Sequence, residues 1–418
     1  MPAMIVVNVV QQHADDAVAL AAARRALIRA PHVNLQRLRL ADERLQAHLM
    51  GLELAAEESP AFVDAMLESP SAGVMFTAGV GALERMDELR LERLVALAQA
   101  VPEGRAGLLA AFGWVGRARL QGIVARLLGD ADPCKRLIGV AVCAMHRVDP
   151  AIVPRRRLHD PDPAVRGRTL RAAGELGLRE LVSSCGAASR DPDADLGFWA
   201  AWSATLLGDR HAALDALTEH AGSAGPHAGR AFRLALQAAT PSAAHRRLQA
   251  LAAEPGNLRR LIEGSGVVGD PAYVPWLIQH MDDTATARLA GEAFTLVTGV
   301  DLGMQGLDRP APEHFESGPS DDPDDPNVEP DPDEDLPWPD RQKVEQWWSD
   351  NAGRFQEGQR YFMGAEVTRA HCLDVLRNGC QRQRILAAYY LCLLDPGTPL
   401  FNTSAPAWRQ QRLLAQME

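Results

Sequence analysis

The sequence predicts an all-α fold built as a helical-repeat solenoid, and three observations predict it. Asp-rich turns recur along the middle of the chain, Asp132, Asp162 and Asp193 standing 30 and 31 residues apart. An apolar helical stretch precedes each turn and another follows it. Glycines close the second stretch: Gly177 and Gly208 are 31 apart, and Gly269 lies 61 further on, two periods. Self-similarity at a period of roughly 20–50 residues is the mark of a repeat array whose units bury their apolar faces only against neighbours.

The three clearest units are ARLLGDADPCKRLIGVAVCAMHRVD, RRLHDPDPAVRGRTLRAAGELGL and CGAASRDPDADLGFWAAWSATLLGD, and a further turn stands at Asp282-Asp283. In the second unit Asp160 and Asp162 are placed to cap a helix. Pro163 falls in its first turn, where a missing N–H costs nothing. Ala164, Val165, Leu170 and Ala173 lie near one face of that helix. The closing glycine suits a left-handed cap.

Taken in order, residues 1–110 read as an N-terminal helical cap, 111–300 as the repeats, 301–340 as an acidic Pro-rich loop and 341–418 as a C-terminal helical region. Val6, Val7, Val9 and Val10 suggest a short strand or extended lead-in. A helix follows from Asp15 to Arg29, ended by Pro31. Leu38, Leu45, Leu49 and Leu52 keep helical spacing in the next, with Asp42 and Glu43 near its start. After the loop, Asp340 can cap a helix that carries Val344, Trp347 and Trp348, the first and last sharing a face. Helices are expected around 367–377 and 380–394. The tail PLFNTSAPAWRQQRLL is expected to dock back through Phe401 and Trp408.

The chain has 418 residues with a net charge of −11, is 47% hydrophobic and 23% charged, and is long enough for a large core. A basic nucleic-acid footprint is excluded at the level of net charge. No apolar run approaches the ~20 residues of a membrane span, and MPAMIVVNVVQQHADD lacks the pattern of a secretory leader. The expected compartment is the cytoplasm. The segment DDPDDPNVEPDPDEDLPWPD, residues 321–340, holds ten carboxylates and no base. Removing it would leave a net charge of −1. With six prolines it reads as an extended, self-repelling loop, pinned at its end by Trp338. Its clustered oxygens raise the question of calcium, but the spacing is not that of an EF-hand loop.

Familiar catalytic patterns are missing or misplaced. Gly264, Gly266 and Gly269 match G-x-G-x-x-G, yet the preceding NLRRLIE reads as helix rather than the buried strand a dinucleotide fingerprint needs. There is no P-loop, no G-x-S-x-G and no H-E-x-x-H. His371, Cys372, Cys380 and Cys392 lack zinc-site spacing, and the six cysteines contain no C-x-x-C. Arg155, Arg156 and Arg157 read as an exposed turn with loose ion pairs. His32, His48 and His146 stand alone in helical surroundings, as packing residues do. No catalytic residue, cofactor site or metal site is assigned.

The run DPDPAVRGRTLRAAGELG resembles HEAT-like repeats, including those named after phycobilin lyases; Thr169 and Leu170 stand at the repeat's Ala-Leu, and Gly174 and Glu175 interrupt the alanines. The whole chain resembles a bacterial HEAT-like repeat family encoded beside type VI secretion system components. The resemblance is carried by QQHADDAVALAAARRALIRAPH, LADERLQAHLMGL, CAMHRVDP, FWAAWSATLLGDR, ARLAGEAFTLVTGVDL, the acidic loop, QRQRILAA and LFNTSAPAWRQ. It implies a link to effector delivery or effector neutralisation. The expected function is a non-catalytic protein-binding solenoid, an effector adaptor, chaperone or immunity protein; a lyase-type enzyme or small-ligand binder is the alternative. The expected partner is another protein, a secreted effector or spike component, rather than nucleic acid or membrane. Asp321, Asp322, Asp324 and Asp325 are the first expected contacts, and Trp347 and Trp348 the second.

Overall fold

The computed structural model describes residues 6–148, 157–313, 315, 318 and 331–417. The helices run in chain order as α1 (Val7–Leu27), α2 (Leu35–Leu54), α3 (Ser59–Met66), α4 (Ala72–Glu84), α5 (Glu88–Ala100), α6 (Pro102–Trp114), α7 (Ile123–Gly129), α8 (Pro133–Met145), α9 (Pro163–Leu176), α10 (Val182–Ala188) and α11 (Ala194–Leu206). They continue as α12 (Ala212–Gly222), α13 (Ala228–Ala238), α14 (Pro241–Ala252), α15 (Leu258–Val268), α16 (Val274–Gln279), α17 (Ala287–Thr298), α18 (Arg341–Asn351), α19 (Arg369–Asn378), α20 (Gln381–Leu394) and α21 (Ala407–Leu414). Two small antiparallel pairs join β1 (Asp308–Arg309) to β2 (Trp338–Pro339) and β3 (Tyr361–Phe362) to β4 (Ala365–Glu366). The fold is all-α. The chain divides into two compact units, one formed by Met1–Ala213 with Leu376–Glu418, the other by Leu214–Val375.

In the first unit the inner helices stack in series, α4 on α6, α6 on α8, α8 on α9 and α9 on α11. The predicted Asp turns begin three of them. Asp132 accepts from Cys134 N at 2.8 Å, Asp162 from Val165 N at 3.1 Å, and Asp193 from Asp195 N and Leu196 N at 3.0 and 3.2 Å. Asp160 does not cap: it accepts both arms of Arg136 at 2.9 and 2.7 Å and receives Asp162 N at 3.1 Å. The unit thus uses a D-x-D pair, the first Asp shaping the turn and the second starting the helix. Asp130-x-Asp132 and Asp191-x-Asp193 repeat the arrangement.

Small residues set the packing distances. α4 is buried on nearly every side. A Cβ at Gly79 would stand 2.8 Å from the Ala111 Cβ, and one at Gly107 would stand 2.0 Å from the Ala72 carbonyl oxygen, so α4 and α6 meet backbone to backbone. Ala14, Ala17 and Ala21 form the buried stripe of α1. Val7, Val9 and Val10 belong to that helix rather than to a strand, and Val6 alone is an extended lead-in as its N-cap; Val10 is buried in the core. α2 starts earlier than its acidic pair suggested. Asn34 caps it through Arg37 N at 2.9 Å, and Asp42 lies mid-helix, buried and paired with Arg24 at 2.6 Å.

Residues 393–410 run back across the C-terminal ends of these inner helices. Arg210 donates to Leu393 O, Leu400 N donates to Glu175 O, and Arg147 donates to Leu400 O. Asn402 reaches Met145 O, and Arg409 reaches the carbonyls of Gly113, Trp114 and Val115. The last carbonyls of a helix have no intrahelical partner, and these contacts satisfy some of them. Phe401 is buried, and Trp408 meets Trp114 edge to face at 4.8 Å. Gly177 has φ +70°, and a Cβ there would stand 2.3 Å from Gly397 O, so both the cap and the returning chain require glycine.

The second unit stacks α13, α15 and α17 around Ile262, Leu277, Phe294, Val297 and Val344. Its own return segment repeats the device. Arg360 donates to the carbonyls of Leu236, Gln237, Ala239 and Val268. Tyr361 N donates to Gly269 O, and Met363 N to Leu296 O.

Candidate functional site

The glycines that match G-x-G-x-x-G lie on and at the end of α15: Gly266 packs against Ala293, and Gly269 is the left-handed cap. They serve helix packing. Among the described residues no three His, Cys, Asp or Glu side chains gather as a metal site. His371 Nε2 bonds Phe362 O at 2.7 Å, and burial pushes the thiols of Cys185, Cys372 and Cys392 up to about 12. Such thiols fill space as apolar groups.

Asp321, Asp322, Asp324 and Asp325 lie outside the described residues, as do Arg155 and Arg156. The C-terminal end of the acidic stretch is held within the second unit. Asp333 accepts two bonds from Arg259 at 2.7 and 2.8 Å, and Asp331 pairs with Arg288 at 2.7 Å. Trp338 is buried, 4.6 Å from the Phe315 ring, with the Arg288 guanidinium over both rings. Trp347 and Trp348 sit on α18, half-buried against the core of this unit. Trp347 meets Phe294 at 5.7 Å and Trp348 meets Phe355 at 5.5 Å.

The first unit contains a pocket of about 320 Å³ between α2, α3, α4 and the start of α5, with Trp114 among its lining residues. Leu49, Leu52, Val63, Val80 and the Trp114 ring supply an apolar wall. Three guanidiniums and two carboxylates line it: Arg85, Arg90 and Arg119 with Glu53 and Glu84. Arg119 pairs with Glu84 at 2.8 Å, and Arg90 with Asp64 at 2.6 Å. Arg85 donates to neutral oxygens, Ser59 Oγ at 2.8 Å and Leu52 O at 3.2 Å. Burial, and then the neighbouring Arg90, hold its pKa below the usual arginine value, against Glu53 and Asp87. Thr77 Oγ1 and Arg90 Nε are buried without a hydrogen-bond partner.

Nothing in the sequence announced this pocket. Its residues come from five helices and one short 3₁₀ turn, and a trace survives only on α4. There Thr77 and Gly81 stand four residues apart, and Arg85, the C-cap, follows at the same spacing.

The fold is that of a helical-repeat solenoid of stacked helices. Residues 155–237 match the family model described as HEAT repeats, a class that generally serves as a non-catalytic, protein-binding framework. No curated protein and no solved structure matches the chain.

Proposed function

We propose that the protein is a non-catalytic, protein-binding scaffold that serves a type VI secretion cluster in the cytoplasm as an effector adaptor, chaperone or immunity protein. The observation that carries the binding role is the HEAT-type repeat itself, with α9 and α11 inside the matched residues, α8 stacked before them, and each of the three begun by an Asp cap. Such arrays present long surfaces suited to gripping another chain. The secretion context rests on the resemblance of the chain to the family encoded beside type VI components. The partner is a secreted effector or a spike component. The acidic segment around Asp321, Asp322, Asp324 and Asp325 supplies charge for a basic partner, and the exposed parts of Trp347 and Trp348 supply aromatic anchors.

A pull-down of the tagged chain with the products of neighbouring genes tests this reading. A stoichiometric complex with a toxin domain supports immunity, and one with a spike or an effector's N-terminal region supports loading. Capture of none of them sinks the proposal. Reversing the four loop aspartates to lysine should weaken a basic partner at least tenfold while leaving the helical signal intact.

A further inference from the structure

Three features of the first unit's pocket ask for an anion carried on an apolar body. The first is a cation with no carboxylate hydrogen-bonded to it, although Glu53 and Asp87 lie near enough to favour its charge. Arg85 is half-buried and makes its hydrogen bonds to neutral oxygens, while Arg90 and Arg119 each have a carboxylate. A carboxylate beside a guanidinium forms a charge-assisted bond about twice as strong as a neutral one. The second is an orphan donor. Thr77 lines the pocket, is 2% exposed, and its hydroxyl has no partner. A buried hydroxyl left unpaired is costly, and a ligand oxygen would remove that cost.

The third is Gly81. Other glycines of α4 are required by close contacts: a Cβ at Gly73 would stand 2.3 Å from Val18 O, and one at Gly79 would stand 2.8 Å from the Ala111 Cβ. A Cβ at Gly81 meets nothing within 4 Å, and its backbone is not left-handed. Alanine there would favour the helix. Glycine at this position keeps the pocket floor open between Thr77 and Arg85.

We propose that this pocket binds a carboxylate borne on an apolar chain, with Arg85 and the Thr77 hydroxyl on the anion and Leu49, Val63, Val80 and Trp114 around the body. A cavity of about 320 Å³ sits at the small end of ligand sites, so the body is a single short chain or one apolar residue. The carboxylate has two sources, a free acid or the terminal carboxylate of a protein partner. The inference stands apart from the scaffold reading, since a free acid can bind whether or not a protein partner exists.

Octanoate and octanamide, titrated into the full chain by calorimetry, test the anion. Octanoate is expected to bind at ~1 mM or tighter and the amide at least tenfold more weakly. Arg85→Gln should lower octanoate affinity at least tenfold. Thr77→Val should lower it several-fold while raising the melting temperature of the unliganded chain, because the orphan hydroxyl is gone. Gly81→Leu should block binding without loss of stability. A short peptide ending in leucine, with a free or an amidated terminus, distinguishes the sources: competition by the free-acid form alone assigns the site to a chain terminus, and octanoate binding without such competition assigns it to a free acid. Equal binding of acid and amide, no octanoate binding up to ~10 mM, or unchanged affinity in Arg85→Gln and Gly81→Leu would overturn the proposal.

Discussion

His146 closes α8, is 4% exposed, and its Nε2 lies 2.8 Å from Phe112 O. Burial holds its pKa down to about 4 from 6.5, with Arg409 and Arg117 adding to the effect and the Phe112 bond opposing it. The unfolded chain therefore binds more protons between those two values, and stability falls as pH drops from 6.5 to about 4. The loss is up to ~3 kcal/mol. Denaturant unfolding of His146→Gln at pH 7 and pH 4.5 should show a flatter acid limb than the native chain. An unchanged slope would mean the ring is solvated. Glu175 acts lower on the scale. Burial works against its charge, but Arg168, Arg171 and Arg147 overcome it and hold the carboxyl at about 2, so its contribution goes only below 4.5. A solitary histidine in a helical stretch reads as a packing residue, and His146 is one; its partner Phe112 is 34 residues away and invisible to local pattern.

At the scale of the element, the D-x-D turn separates two roles that look alike in sequence. Asp162 starts α9 with one backbone bond, and Asp162→Ala should cost about 1 kcal/mol. Asp160 holds the buried guanidinium of Arg136, whose side chain is 8% exposed, and also pairs with Arg157. Asp160→Ala should cost about 2–3 kcal/mol, because it strands that cation. Urea denaturation of the two variants orders them, and equal losses would show that the ion pair adds nothing. The repeat period, the Asp caps and the glycine ends were legible because each depends on a few neighbouring residues. The start of α2 was not: Asn34 makes the cap, while Asp42 is spent on Arg24.

At the scale of the whole molecule, the first unit is completed by residues far along the chain. Leu376–Glu418 belongs to it, with Gln381 N donating to Val33 O and the buried Arg384 bonded to Gln381 and Gln410. Folding of this unit therefore waits on contacts of very high sequence separation, which are slow to form. A chain ending at residue 375 leaves the carbonyls at the ends of α6 and α8 without Arg409 and Asn402. It should melt at a clearly lower temperature and be cut within residues 1–213 by limited proteolysis. Retention of the full melting temperature would show that the return segment is ornamental.

The sequence by itself determined the all-α class, the repeat with its caps, the concentration of negative charge in one stretch, and the docking of a tail through Phe401 and Trp408. These follow from periodicity, capping and composition, which act over a few residues. Only the tertiary structure decided that the tail satisfies helix-end carbonyls, that Asp160 and Asp162 differ in role, and that Thr77, Gly81 and Arg85 face an open pocket. Each of those depends on which atoms from distant segments meet, and on which polar groups are left without a partner once water is excluded.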